Sequence, residues 1–123
     1  MTSYGDVDLA LDTFPYSGGL TACEAIWMGV PTITWPGKTF AGRHSLSHLS
    51  NVGLPQFVAG GKEDYVAKAI ATATRLDELA DLRSSLRQQM ATSPLCDAVR
   101  FAADFSSLMQ SVWQSNSRHR EIG

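Results

Sequence analysis

The sequence predicts an α/β fold, a partial parallel sheet of about three strands with helices flanking it. Three observations predict it. Residues 1–61 are sparse in charge and dense in glycine and proline, with Lys38 and Arg43 as bases against Asp6, Asp8, Asp12 and Glu24. Such a stretch suits buried strands and ligand loops. Residues 62–123 crowd the remaining charges into patterns of helical period, the mark of amphipathic helices on an outer layer. Between residues 7 and 35 a strand pattern, a glycine loop, a helix pattern and a second strand pattern follow one another. That succession is the unit from which parallel sheets are built. A chain of 123 residues makes one domain large enough to bury a core. It divides into a β/α segment over 6–60, C-terminal helices over 61–115 and a disordered tail over 116–123.

Taken in order, "VDLALDT" (7–13) mixes acids with aliphatics and ends in a polar pair, like a central strand emptying into a loop. "FPYSGG" is that loop, stiffened by Pro15 and freed by Gly18 and Gly19. Residues 21–28 carry helical spacing, with Ala22, Ala25, Ile26 and Trp27 available for one face. Gly29 stops that helix, Pro31 follows, and "TITW" is a short β-branched strand. "PGKTFAGR" is a second loop, "HSLSHLSNV" a helix closed by Gly53, and "LPQFVA" a third short strand. "KEDYVAKAIATATRL" sets Tyr65, Val66, Ala69, Ile70 and Ala73 on one stripe, and the next helix does so with Leu79, Leu82, Leu86 and Met90. Ser93 before Pro94 fits an N-cap with proline at the first helical position. A long amphipathic helix follows through Phe101, Phe105, Leu108 and Trp113. The opening reaches a strand pattern almost at once and reads as an excised piece of a longer protein with a supplied start methionine.

Composition excludes several classes. A formal net charge of −2 leaves no basic face for nucleic acid. There is no signal-peptide pattern and no apolar run approaching the roughly 18 residues of a membrane span, so no membrane partner and a cytoplasmic location are expected. Cys23 and Cys96 form no CxxC pair, and Cys23, inside an apolar helix pattern, reads as a buried reduced thiol. His44 and His48 stand four apart as a two-histidine metal face would. No acid accompanies them as in HExxH, and no metal site is expected.

The residues with chemistry gather around the first loop. Gly18 and Gly19 just before a helix start allow close backbone approach, and a helix N-terminus behind such a loop seats phosphate. The alternative is a plain turn. The loop matches neither GxGxxG nor GxxxxGK[ST]. Thr21-x-x-Glu24 has the spacing of a capping box, in which Glu24 folds back onto the main chain. The functional alternative makes Glu24 the acceptor for two vicinal ribose hydroxyls, with the amides of residues 20–22 facing phosphate. Asp12, Tyr16, Ser17 and Arg43 are candidates for supporting roles, Arg43 toward an anion or a distant acid. Trp27, Trp35 and Trp113 read as core or interface residues, although an aromatic at a strand end can also stack on a base. No nucleophile–base pair is present, so no catalytic residue is assigned within this chain.

At "SGGLTACEAIWMGVPTIT" the sequence resembles the nucleotide-binding half of GT-B glycosyltransferases. The flanking "DLALDTFPY", "AGRHSLSHLSNVGLPQFVA" and "SPL" resemble the C-terminal part of the O-linked N-acetylglucosamine transferase family, including bacterial members with tetratricopeptide repeats and the plant Spindly-like enzymes. The resemblance covers roughly residues 6–113. It implies a Rossmann-like, C-terminal donor-binding half-domain of a GT-B fold. It also implies transfer of a sugar from a nucleotide donor to a protein Ser or Thr without metal or cofactor. UDP-N-acetylglucosamine is the first expectation and GDP-fucose, from the Spindly-like branch, the second. Carried over by position, diphosphate binding falls on Gly18, Gly19, Leu20 and Thr21, and ribose binding on Glu24.

Two departures stand out. The family has histidine or threonine where this chain has Gly19, and threonine where it has Leu20. Side-chain donors to phosphate are therefore missing there. The family's upstream lysine, base-recognition segment and acceptor half have no counterpart here, so the segment alone is expected to be inactive. A degenerate, non-catalytic relative used for packing or partner binding is the alternative from another class, and a non-protein acceptor is a third.

Overall fold

The computed structural model describes residues 2–120. Its first regular feature is not a strand. Residues Thr2–Asp6 coil into a 3-10 turn, held from across the molecule by the Arg83 guanidinium, which donates to the carbonyls of Tyr4 and Val7. The expected strand over 7–13 is thereby shortened to β1, Ala10–Leu11. After it come α1 (Leu20–Trp27), β2 (Thr32–Ile33) and α2 (His44–Val52). The chain ends in α3 (Lys62–Ala73), α4 (Leu76–Ala91) and α5 (Ala98–Arg120).

β1 and β2 pair in parallel, Ala10 opposite Thr32 and Leu11 opposite Ile33. The expected third strand is reduced to one parallel bridge, Thr34 to Val58. The reason lies in Pro55, which opens a 3-10 turn over Pro55–Phe57. That turn uses the Phe57 and Val58 amides internally, on the carbonyls of Leu54 and Pro55. The α/β class holds, with the strand content lower than expected.

Both α1 and α2 end at glycines. Gly29, at φ +82°, and Gly53, at φ +80°, occupy the left-handed region that disfavours side chains. After α1 the Val30 amide reaches Ala25 at 2.8 Å and the Gly29 amide reaches Ile26 at 3.0 Å. After α2 Leu54 reaches Leu49 at 2.8 Å and Gly53 reaches Ser50 at 3.3 Å. These are Schellman terminations, which satisfy carbonyls the helix leaves free.

The core joins the two halves of the chain. Ile26, Ile33, Leu49, Val52, Leu54 and Phe57 pack with Leu86 and Met90 from α4. α4 buries the stripe read from the sequence, with Leu79, Leu86 and Met90 inside. α3 does not. Val66 and Ile70 are exposed, at 49% and 63%, and the buried edge runs through Tyr65, Ala69 and Thr72. Both stripes have helical spacing, and Tyr65 is drawn inward by a hydroxyl bond described below.

Ser93 caps a short 3-10 turn over Pro94–Cys96, not the long helix. The cap of α5 is Asp97, whose carboxylate accepts from the Arg100 amide at 2.9 Å. α5 continues through residues 116–120, where a disordered tail was expected, and 121–123 lie outside the described residues. Its apolar residues Phe101, Phe105, Leu108 and Trp113 are exposed, as is Val99 near its start. Among the described residues no helix is long and apolar enough to cross a membrane, and no group of three or more His, Cys, Asp or Glu is placed to hold a metal.

Candidate functional site

β1 empties at Asp12, and the loop that follows is tied down by that residue. One carboxylate oxygen of Asp12 accepts the Gly18 amide at 2.7 Å. The other accepts the Ser17 hydroxyl at 2.9 Å and the Thr34 hydroxyl at 2.6 Å. Its main-chain carbonyl accepts the Tyr65 hydroxyl at 2.8 Å, which brings α3 against the loop. Burial raises the Tyr65 hydroxyl pKa, and the Asp12 charge adds to it.

Ser17 is 2% exposed, and it reaches a second helix. The Ser45 amide, near the start of α2, donates to the Ser17 oxygen at 2.9 Å, and the Ser45 hydroxyl lies 3.1 Å from the Gly18 carbonyl. Arg43 offers α2 no side-chain cap, so a serine from a distant loop takes one orphan amide of that helix. The second loop packs on the first through the Ser17 amide on Ala41 O at 2.9 Å, and is closed on itself by the Gly37 amide on Gly42 O at 2.8 Å. A Cβ at Gly42 would stand 2.8 Å from the Pro15 carbonyl, so only glycine fits there.

The start of α1 is bare. Its first residue is Leu20, one earlier than the spacing suggested, with Gly19 as N-cap and no side-chain cap bond. Thr21 thus lies inside the helix, and the capping box it would form with Glu24 is not made. The first helical bond runs from the Cys23 amide to the Gly19 carbonyl. The amides of Leu20, Thr21 and Ala22 therefore have no intrahelical acceptor. Nothing lies within 4 Å of a Cβ placed on Gly19, and Leu20 is 73% exposed. One turn on, the half-buried Glu24 carboxylate makes neither hydrogen bond nor ion pair among the described residues.

The sequence-derived residues do not all share one hollow. A cleft of about 180 Å³ is lined by Asp12, Thr13, Gly18, Thr21 and Thr32, among others, but not by Gly19, Leu20 or Glu24. Gly18 differs in kind from its neighbours, because its amide is already held by Asp12. A Cβ there would stand 3.0 Å from the Thr21 hydroxyl and 3.2 Å from Asp12. Arg43 donates to the Gly37 carbonyl at 3.1 Å and lines a separate cleft with Phe40, His44 and His48. Tyr16 is exposed, its ring 6.2 Å from that of His44. Trp35 stacks on Phe14 at 4.2 Å, so one of its faces is already covered.

The roles of Thr32, Thr34 and Ser45 carry little sequence signal of their own, and Tyr65 is legible only as a member of the α3 stripe. Their types are ordinary and their partners lie far away in the chain; "TIT" as a polar alternation in a buried strand was the one local signal. The Thr32 hydroxyl is buried without a partner among the described residues. Burial lowers the pKa of His48, the charge of His44 lowers it further and Asp12 opposes both. Cys23 is half-buried against the core, and burial raises its thiol pKa, with Cys96 and Glu24 adding to the effect.

The comparisons agree with this architecture. The family model described as "Glycosyl transferase family 41" matches residues 4–105. A tomato (Solanum lycopersicum) protein described as "Probable UDP-N-acetylglucosamine--peptide N-acetylglucosaminyltransferase SPINDLY" is 42% identical over 114 residues, 93% of this chain and 12% of that protein. A Caenorhabditis elegans UDP-N-acetylglucosamine--peptide N-acetylglucosaminyltransferase is 31% identical over 107 residues, 87% of this chain and 9% of that protein. Among solved structures, the K341M mutant of Thermobaculum terrenum O-GlcNAc transferase superposes with a TM-score of 0.83 at 38% identity, covering 93% of this chain and 22% of that one. The chain spans about an eighth of the length of such relatives as the tomato protein. With the family model covering most of its length, the chain belongs to glycosyl transferase family 41.

Proposed function

We propose that this chain is the donor-binding segment of a protein O-glycosyltransferase that moves N-acetylglucosamine from UDP-N-acetylglucosamine to Ser or Thr, without a metal. The amides of Gly19, Leu20 and Thr21, with the Thr21 hydroxyl, receive the diphosphate at the α1 N-terminus, where amide dipoles favour negative charge. Gly18 contributes space rather than a donor. Glu24 accepts the ribose hydroxyls. Stabilising charge on the departing diphosphate is the chain's part in the chemistry, and it supplies no acid, base or nucleophile, so it is inactive alone. The rest of the transferase, including a tetratricopeptide-repeat region, supplies the acceptor side.

The observation that carries this reading is the bare start of α1 beside a carboxylate with no partner among the described residues. A bond to its own main chain would have occupied Glu24, and none is made among the described residues. The test titrates UDP and GDP into the full-length protein with and without Glu24→Ala. Binding of UDP weakened about tenfold or more by the variant is expected, as for loss of hydrogen bonds to a charged group. Unchanged binding refutes the ribose role, and tighter binding of GDP than of UDP moves the donor to GDP-fucose. The second reading, a non-catalytic relative, is favoured by the missing side-chain donors at Gly19 and Leu20. It predicts no binding of either diphosphate.

A further inference from the structure

The residue before the N-cap of α1 is held at both of its backbone groups. Asp12 takes the Gly18 amide at 2.7 Å, and the Ser45 hydroxyl lies 3.1 Å from the Gly18 carbonyl. Ser17 joins the two anchors, donating to Asp12 at 2.9 Å and accepting the Ser45 amide at 2.9 Å. Ser45 is 0% exposed and Ser17 2%. Hydrogen bonds this buried are worth more to the geometry than surface ones, because breaking either leaves a dry polar group.

The consequence follows from peptide planarity. In a trans peptide the C=O and the following N–H point in opposite directions. A Gly18 carbonyl drawn inward to Ser45 therefore turns the Gly19 amide outward. The Gly19 amide makes no hydrogen bond among the described residues, and a Cβ on Gly19 would also meet nothing within 4 Å. We propose that Asp12 and Ser45 are positioning residues, which by fixing Gly18 aim the Gly19 amide at a phosphate of the donor's diphosphate. Gly19 lacks a side-chain donor, so its amide is the donor that position has. This inference rests on the donor-binding reading above.

The test compares UDP with uridine as ligands of the full-length protein. Ser45→Ala and Asp12→Ala are expected to weaken UDP binding about tenfold and to leave uridine binding unchanged, since the ribose contact is untouched. Asp12→Asn is expected to restore UDP affinity to within about threefold. Its carbonyl still accepts the Gly18 amide, and its NH₂ can donate to hydroxyls that rotate. Gly19→Pro removes the amide itself at a position of φ −90° with open surroundings, and it should reproduce the selective loss even where the buried variants fold poorly. Wild-type UDP affinity in Gly19→Pro overturns the proposal, as does an equal loss of UDP and uridine in folded Ser45→Ala. In both cases Glu24→Ala still weakens UDP, so the donor-binding reading survives. Absence of UDP binding to the wild type overturns both.

Discussion

Replacing Gly29 by alanine should be among the costliest single-methyl changes in this chain. Gly29 sits at φ +82°, where a Cβ costs about 1–2 kcal/mol through its clash with the local main chain. The new methyl would also stand 2.7 Å from the Arg83 carbonyl and 3.2 Å from its Cα, both backbone atoms of α4. Neither can rotate away, so α1 and α4 must separate, and overpacking of that kind adds about 1–3 kcal/mol. The sum, about 2–5 kcal/mol, is a large part of the 5–15 kcal/mol that stabilises a typical domain. Two other glycines calibrate it. Gly53 shares the left-handed conformation, at φ +80°, but its Cβ would meet only the Gln89 amide nitrogen at 3.6 Å, an ordinary contact. Gly53→Ala should lose about 1–2 kcal/mol from conformation alone. Gly19→Ala, with nothing within 4 Å, should stay within about 0.5 kcal/mol. Urea denaturation followed by circular dichroism reads all three. If Gly29→Ala costs no more than Gly53→Ala, the close approach of α4 to this turn is not what the backbone geometry says it is.

Two further outcomes follow from the site. Burial holds the His48 pKa below its ordinary value of about 6.5, so below that pH the unfolded chain takes up a proton that the folded one resists. Stability is then complete above about pH 6.5 and falls as pH drops through the lowered folded value; His48→Phe should flatten thermal melts between pH 5 and 7, and an unaltered slope would remove His48 as the cause. Leu20→Thr places a hydroxyl on an exposed position at the bare start of α1. UDP affinity should improve about three- to tenfold, as for one added hydrogen bond to an ionised group, and calorimetry showing no gain would argue that phosphate does not reach that side chain.

What the sequence disclosed, and what it withheld, divides by distance along the chain. Gly29 with Pro31, and Gly53, announced their turns because a helix stop is settled by a few neighbouring residues. The α4 stripe was legible for a similar reason, since one face of that helix is apolar and the other is not. On α3 the residues 65/69/72 and 66/70/73 have the same spacing, and the choice between them depends on Tyr65 reaching an Asp12 carbonyl 53 positions away. "LPQFVA" has the composition of a strand, yet Pro55 lacks the amide a ladder needs and the turn it opens uses two more.

The site divides in the same way. The pattern around Gly18, Gly19 and Glu24 can be found by inspection, because a glycine pair before a helix start, with an acid one turn on, is a local pattern. The pattern also suggested that Thr21 and Glu24 could satisfy each other, and only the start of α1 at Leu20 removes that option. The framework that holds the loop draws on Thr34 and Ser45, whose bonds to Asp12 and Ser17 span 22 and 28 positions. Serine and threonine are too common for such pairings to be guessed. The loop and the start of α1 are therefore written locally, while the rigidity of that loop is written in hydroxyls that have meaning only after folding. A substitution that spares every ligand-facing residue but removes one of those hydroxyls should weaken diphosphate binding while the sequence motif stays intact.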